Sequence, residues 1–475
     1  MHEVRIKKFE THYRLPQSEW RERRKLEQVR GAVLEEALEL ALERAGVPED
    51  SELCIRQIYA PIRLRMNNSE AEMAMQWSLA LAAEIERAMR DGRATNVVIY
   101  RSRRQALLEL AINVARGDFS RAWAWRQLGL WQAGEQPDAD EAIIAFVRAW
   151  ATERAMVMPI LHALLDAELL VRVAGRMRDE HWEILARAAW GEATPLRFES
   201  SAELSPRAVR DAMRVMKSSR LLSVVMTSQS FSSPTASRAI AVLAVLDAEP
   251  VFLRTNHAQE LLELVANAIT RGETNNDGPD ASARESAASQ PKTIRDLPVN
   301  KAETETLSLD VRQRAETQFG GLLFLLNVIK ELNLPDEMLS QLDARSLRWT
   351  LYQLALALLV MGANDPAALA FAGLRPDATP PNYEQESPTE SEANTLQLFA
   401  ARVLKRLRTL LDWDASDAAL LAFVCQRPAE IVADPGWIEV RFSLDAVTTE
   451  IRRTGLDLDP GYVSWLGVVV KFVYA

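Results

Sequence analysis

Cysteine is nearly absent from this chain. Only Cys54 and Cys425 occur among 475 residues, which excludes a disulfide framework and leads us to expect a reducing, cytoplasmic setting. Histidine is scarce as well. His2, His12, His162, His181 and His257 are scattered and share no ligand spacing with the cysteines, so no metal site is expected. Glycine-based chemistry is missing: there is no GxxxxGK[ST] loop, no GxGxxG and no GxSxG elbow. Nucleotide binding and α/β-hydrolase chemistry therefore lack a signature, and no cofactor or catalytic residue is indicated. Basic charge is in deficit, 56 Lys and Arg against 66 Asp and Glu for a net charge of -10. That balance argues against a nucleic-acid partner, which needs a basic surface. Long apolar runs are lacking too. Gly320–Asn327 and Leu354–Ala363 fall short of the ~20 residues a membrane span needs, and MHEVRIKKFE has no apolar core of a secretory signal.

What is present reads as globular. Apolar residues make up 48% and charged ones 26%, and the length suggests two to four domains. Over 1–117 the patterns alternate as strand and helix. Residues 4–15 alternate polar and apolar, and a helix is expected from Ser18 to Ala45. Ile58, Ala60, Ile62, Leu64 and Met66 then read as a strand, with Pro61 marking an edge or a bulge. Ser69 and Glu72 form a capping box for a helix carrying Met73, Trp77, Leu81, Ile85 and Met89. A strand at Asn96–Tyr100 and a helix from Ser102 to Arg116, stopped by Gly117, complete a βαβαβα unit.

From 118 to 270 the pattern is helical, and RAWAWRQLGLW places Trp123, Trp125 and Trp131 close together. Trp123 and Trp125 are two apart, so one helix cannot put both on a single stripe. Core packing and a partner-facing hot spot are both open for these rings. Residues 271–308, with GETNNDGPDASARESAASQPKTIRD, have the composition of a disordered linker. The remainder, 309–475, reads as a helical domain closing with a βαβ element: a strand at Trp437–Phe442, a helix at Ser443–Thr454 and a strand at Leu466–Tyr474. The fold class is thus mainly α with α/β portions. The domain is organised around a helix expected over Thr317–Pro335, in which Gly320 and Gly321 precede Leu322, Leu323, Phe324, Leu325 and Leu326. A helix apolar on every side must be covered. Gly320, Gly321, Leu322 and Phe324 are therefore candidates either for the domain core or for docking a partner. The DxD pairs Asp412/Asp414 and Asp457/Asp459 suit helix caps and turns better than a cation site.

The order of parts resembles the tape-measure-type proteins of bacterial contractile injection systems, which are phage-tail-like particles with a sheath, an inner tube and a baseplate. IRQIYAPIRLRM and the segment Ala106–Trp131 look like features of that family's N-terminal part. FGGLLFLLNVIKELNLP, WTLYQLALALLVMGANDP, WIEVRFSLDAV and LDPGYVSWLGVVVKF look like its later ones. The resemblance touches about half the chain and brings no catalytic residues with it. It implies a non-enzymatic structural or assembly protein with tube, baseplate or sheath proteins as partners. A ruler would lie extended, and as one helix this chain would reach about 700 Å. Its 21 prolines and short segments instead favour a compact assembly factor. Two other readings stand beside this one: a general α-helical scaffold or adaptor, and an enzyme of a class without recognisable motifs.

Overall fold

The computed structural model describes residues 10–14, 20–33, 52–90, 96–134, 136–190, 205–228, 233–272, 312–342, 345–381, 387–446 and 448–474. They are mostly helical, with a small mixed sheet near the C-terminal end. The chain divides at 149/150 into two compact units.

The first unit holds a two-stranded antiparallel ribbon, β1 (Glu52–Ile55) with β2 (Val97–Tyr100). Between them runs the helix Glu70–Arg90. Ser69 Oγ accepts from the Glu72 N–H, and Glu72 Oε2 accepts from the Ser69 N–H. This reciprocal capping satisfies two otherwise orphaned donors. Met73, Ala74 and Trp77 of that helix pack on Val29 and Val33, at and just beyond the end of the helix Trp20–Ala32. The next helix, Arg103–Arg116, starts at the Ser102 cap and stops at Gly117, whose φ of 76° suits glycine.

Two expectations change here. Ile58–Met66 is not a strand and joins no ladder, and the strand lies upstream at β1. Its apolar side chains lie on helices, and Pro61 has no N–H to give a ladder. The βαβαβα arrangement is also absent among the described residues, where β1 and β2 pair antiparallel. The strand expected over 4–15 is described only at 10–14, which joins no ladder, and the helix expected from 18 to 45 is described only from Trp20 to Val33.

In the second unit, helices from Val157–Asp166 to Ala258–Arg271 surround Pro234–Ala248. Nearly every side chain of that last helix from Ala236 to Leu246 is buried. The helices Val157–Asp166 and Leu170–Ala174 are separated at Glu168, which adopts a left-handed φ of 56°. The linker expected over 271–308 lies, apart from its first two residues, outside the described residues. On its far side the chain rejoins the same unit. Arg207 Nη2 donates to the Leu339 carbonyl at 2.8 Å, and Arg214 Nη1 donates to that of Arg345 at 3.1 Å. Asp166 holds both Arg220 (2.9 Å) and Arg375 (3.1 Å).

The sheet orders β3 (Gln313–Thr317), β4 (Ala429–Asp434), β5 (Trp437–Phe442), β7 (Val468–Tyr474) and β6 (Gly461–Val463) side by side. Only β5 and β7 are parallel. Their connection carries the short helix Thr449–Thr454 and β6. Pro435 and Gly436 turn β4 into β5. Gly436 has φ 68° and approaches Pro159 so closely that a Cβ there would lie 2.5 Å from the ring.

The central segment is not one helix. Thr317 ends β3, Gly320–Phe324 is a tight 3₁₀ turn, and the α-helix begins only at Leu325 and stops at Glu331. Asn333, at φ 50°, redirects the chain into Leu334–Gln341. Leu322 to Leu326 are at most 1% exposed, so apolarity on all sides reflects cover on all sides.

Candidate functional site

The tryptophan segment forms an aromatic cluster in the first unit. Trp123 and Trp125 sit on the single short helix Ala122–Gln127, yet both are buried, as is Trp131. Trp125 meets Trp131 edge-on at 5.8 Å between centroids, and Phe119 stacks on Trp131 at 5.9 Å. Trp131 Nε1 donates to the Gly134 carbonyl at 3.1 Å, which fixes the ring. Trp123 forms the wall of an open depression with Phe119, Ser120, Gln136 and Arg56. Buried polar groups lie in the same unit. Glu109 accepts from Asn113 Nδ2 at 3.3 Å and pairs with the Arg121 guanidinium. Burial, with Glu52 and Glu109 adding to it, pushes the Cys54 thiol up to about 12. Tyr100 is raised well above the ordinary phenol range by burial and by the Glu109 carboxylate. A thiol so protonated is a poor nucleophile.

The second unit brings together Ser219, Asp247 and His162, a trio whose residue types match a hydrolytic triad. The wiring differs from one. Asp247 is the hub: its Oδ1 lies 3.0 Å from His162 Nε2, while its Oδ2 accepts from Ser219 Oγ at 2.8 Å and from the Leu221 N–H at 2.9 Å. In a relay the serine hydroxyl gives its proton to histidine; here it gives it to the carboxylate. Ser219 Oγ also accepts from the Leu222 N–H at 3.2 Å. Together, Ser219 and Asp247 satisfy the first donors of the helix Arg220–Ser228, the work of a cap. Burial alone would raise Asp247, but the bonds from His162, Leu221 and Ser219 outweigh it and hold the carboxyl below its usual range. A second pair, His257 Nε2 to Asp211 Oδ2 at 2.7 Å, ties two further helices. No spacing in the sequence pointed to either pair.

Gly320, Gly321, Leu322 and Phe324 lie together under the C-terminal sheet. The Gly320 N–H donates to the Arg427 carbonyl at 2.9 Å. Phe324 packs on Phe442 (5.2 Å) and edge-on to Phe472 (5.0 Å). Arg427 is a buried cation, and no carboxylate forms an ion pair with it among the described residues. Its guanidinium donates to the carbonyls of Val424 (3.1 Å), Phe423 (2.9 Å) and Ala446, and to Thr448 Oγ1 (3.2 Å). Desolvation pulls its pKa below the usual arginine value. Of the DxD residues, Asp457 and Asp459 use their carboxylates locally and Asp412 serves through its backbone. Asp457 holds Tyr474 and Arg452, Asp459 accepts from the Phe472 N–H, and Asp412 is the left-handed C-cap of the helix Glu390–Leu411. Among the described residues no three His, Cys, Asp or Glu side chains are grouped to hold a metal ion, and no helix is long and apolar enough to cross a membrane.

Comparison with protein-family models, curated proteins and solved structures finds no match to this chain.

Proposed function

We propose that this chain is a non-enzymatic structural or assembly protein of a phage-tail-like contractile injection particle, made in the bacterial cytoplasm and acting on tube, baseplate or sheath proteins. The observation that carries the reading is the burial of Leu322–Leu326, with Phe324 packed on Phe442 of β5 and Phe472 of β7. One of the segments that carry the family resemblance lies in the core of a compact unit, which favours a folded assembly component over a ruler stretched along a tube. The polar trio of Ser219, Asp247 and His162 supports the non-enzymatic part, because its bonds are used in capping a helix. A general helical scaffold unconnected with such particles is the second reading, favoured by the arginine ties that knit separate segments of the second unit. The experiment is to tag the chain in its native host, purify particles on a density gradient and delete its gene. Co-sedimentation of the tagged chain, or loss of assembled particles on deletion, supports the first reading. Normal particles without the gene, with the tagged protein remaining at the top of the gradient, sink it.

A further inference from the structure

The stretch Gln57–Arg65 in the first unit, with Met66 opening the turn after it, has the side-chain pattern of a strand without the hydrogen bonds of one. Exposure alternates residue by residue: Ile58, Ala60, Ile62, Leu64 and Met66 are half-buried, while the residues between them are exposed. Ile62, Leu64 and Met66 lie on the cluster of Val29, Met73 and Trp77, and Ile58 lies on Ile85. Both ends are pinned. The Arg56 N–H donates to the Asn96 carbonyl at 2.8 Å, and Lys25 Nζ donates to the Met66 and Asn68 carbonyls at 2.9 and 2.6 Å. Between the pins, from Gln57 to Leu64, no backbone-to-backbone hydrogen bond forms among the described residues.

The two edges of this stretch differ. In extended chain the N–H and C=O of one residue point to the same edge, and successive residues alternate edges. On the edge of the odd-numbered residues, Pro61 has no N–H, the Arg63 carbonyl accepts from Gln76 Nε2 at 3.4 Å, and the Arg65 carbonyl accepts from the Asn68 N–H at 3.1 Å. On the other edge, carried by Ile58, Ala60, Ile62 and Leu64, no donor or acceptor of the backbone is used among the described residues. We infer that this edge receives a strand from another protein, an extended segment alternating acidic and apolar residues. The exposed side chains set the charge. Arg56, Arg63 and Arg65 are exposed and no acidic residue lies between positions 56 and 66, in a chain whose net charge is -10. An incoming strand places its outward side chains beside Arg63 and Arg65, where opposite charge stabilises and like charge destabilises. Its inward side chains continue the apolar cover over the two helices. Main-chain bonds supply affinity in such strand addition and alternate side chains supply specificity. A second copy of this same stretch would bring arginines against arginines. Tyr59, 80% exposed, stands on the same outward side as an aromatic contact. The inference holds whether or not the chain belongs to an injection particle.

The test uses the full chain as bait for a random peptide library at low salt, followed by synthesis of the strongest binder. Enriched peptides are expected to alternate acidic and apolar residues. The double variant Arg63→Glu/Arg65→Glu, whose exposed positions leave the circular dichroism unchanged, should weaken the binder about tenfold or more. N-methylation of the binder at one set of alternate backbone nitrogens should abolish binding, and at the other set should spare it. The inference is overturned if nothing is enriched, if the enriched peptides lack that alternation, or if binding ignores either the charge reversal or the N-methylation. Concentration-dependent self-association of the chain that disappears in the double variant would also overturn it, assigning the edge to a second copy.

Discussion

Gly321 passes so close to the carbonyl of Val424 that a single added methyl would overlap that oxygen. The same Cβ would lie 3.1 Å from the Cα of Cys425, so the obstacle is backbone and cannot swing aside. Gly321→Ala should therefore cost about 3 kcal/mol, the upper part of the range for overpacking. Gly362→Ala is the control, since nothing lies within 4 Å of its Cβ position and its effect should stay within about 0.5 kcal/mol. Urea unfolding of both variants measures the difference; equal stability would disprove the close-packing account.

Glu392 predicts an acid dependence. Its carboxylate accepts from Arg345 Nε at 2.7 Å and from the Thr389 N–H at 2.8 Å. The bond to Arg345 does most to lower it, partial burial opposes, and the Thr389 bonds help bring it from 4.5 down to about 2. A depressed carboxylate contributes stability that is complete above its unfolded pKa and is lost as the pH falls through its folded one. The stability gap between the parent and Glu392→Gln should thus be constant above pH 4.5, narrow below it and close near pH 2. Denaturant titrations across that range check it. A gap that grows on acidification would show the sign to be wrong.

Trp125 and Trp123 should both prove structural. With 0% and 7% of their surfaces exposed, truncation of either to alanine should cost about 3–5 kcal/mol, the larger loss at Trp125, which also forfeits its edge contact with Trp131. Variants of native stability that have lost a binding partner would instead mark these rings as a contact surface.

A protease site engineered between residues 272 and 312 offers a test of the second unit. The Arg207 and Arg214 bonds, the bond between Asp166 and Arg375 and the seat of Gly436 on Pro159 all join segments from the two sides of that interval. The cleaved fragments should still elute as one species. Separation without denaturant would mean that these contacts do not hold the unit together.

Local chemistry was legible in the sequence because its partners lie within a few residues. The Ser69/Glu72 box, the Gly117 stop and the Ser205 and Asp365 caps before Pro206 and Pro366 are all of this kind. Two edge strands escaped notice because one partner was enough, and β4 escaped as well despite its two neighbours. β3 reads QRAET because it is an edge strand with a single neighbour, and β6 is only three residues long. The extended helix expected at Gly320 failed for a tertiary reason, since the turn there follows from the backbone of 424–427 pressing on two glycines. The capping trio was invisible because Asp247 lies 28 residues from Ser219 and 85 from His162, separations that no periodicity records.

The two cysteines give the chain a built-in reporter. Cys54 lies in the first unit and Cys425 in the second, each no more than 1% exposed. Burial drives both thiols up to about 12, so neither should react with a disulfide reagent while its surroundings stay closed. The rate at which each is modified then counts the openings of its own unit. Replacing one cysteine with serine leaves a single clock, and the pair of single-thiol chains would tell whether the two units open together or each on its own.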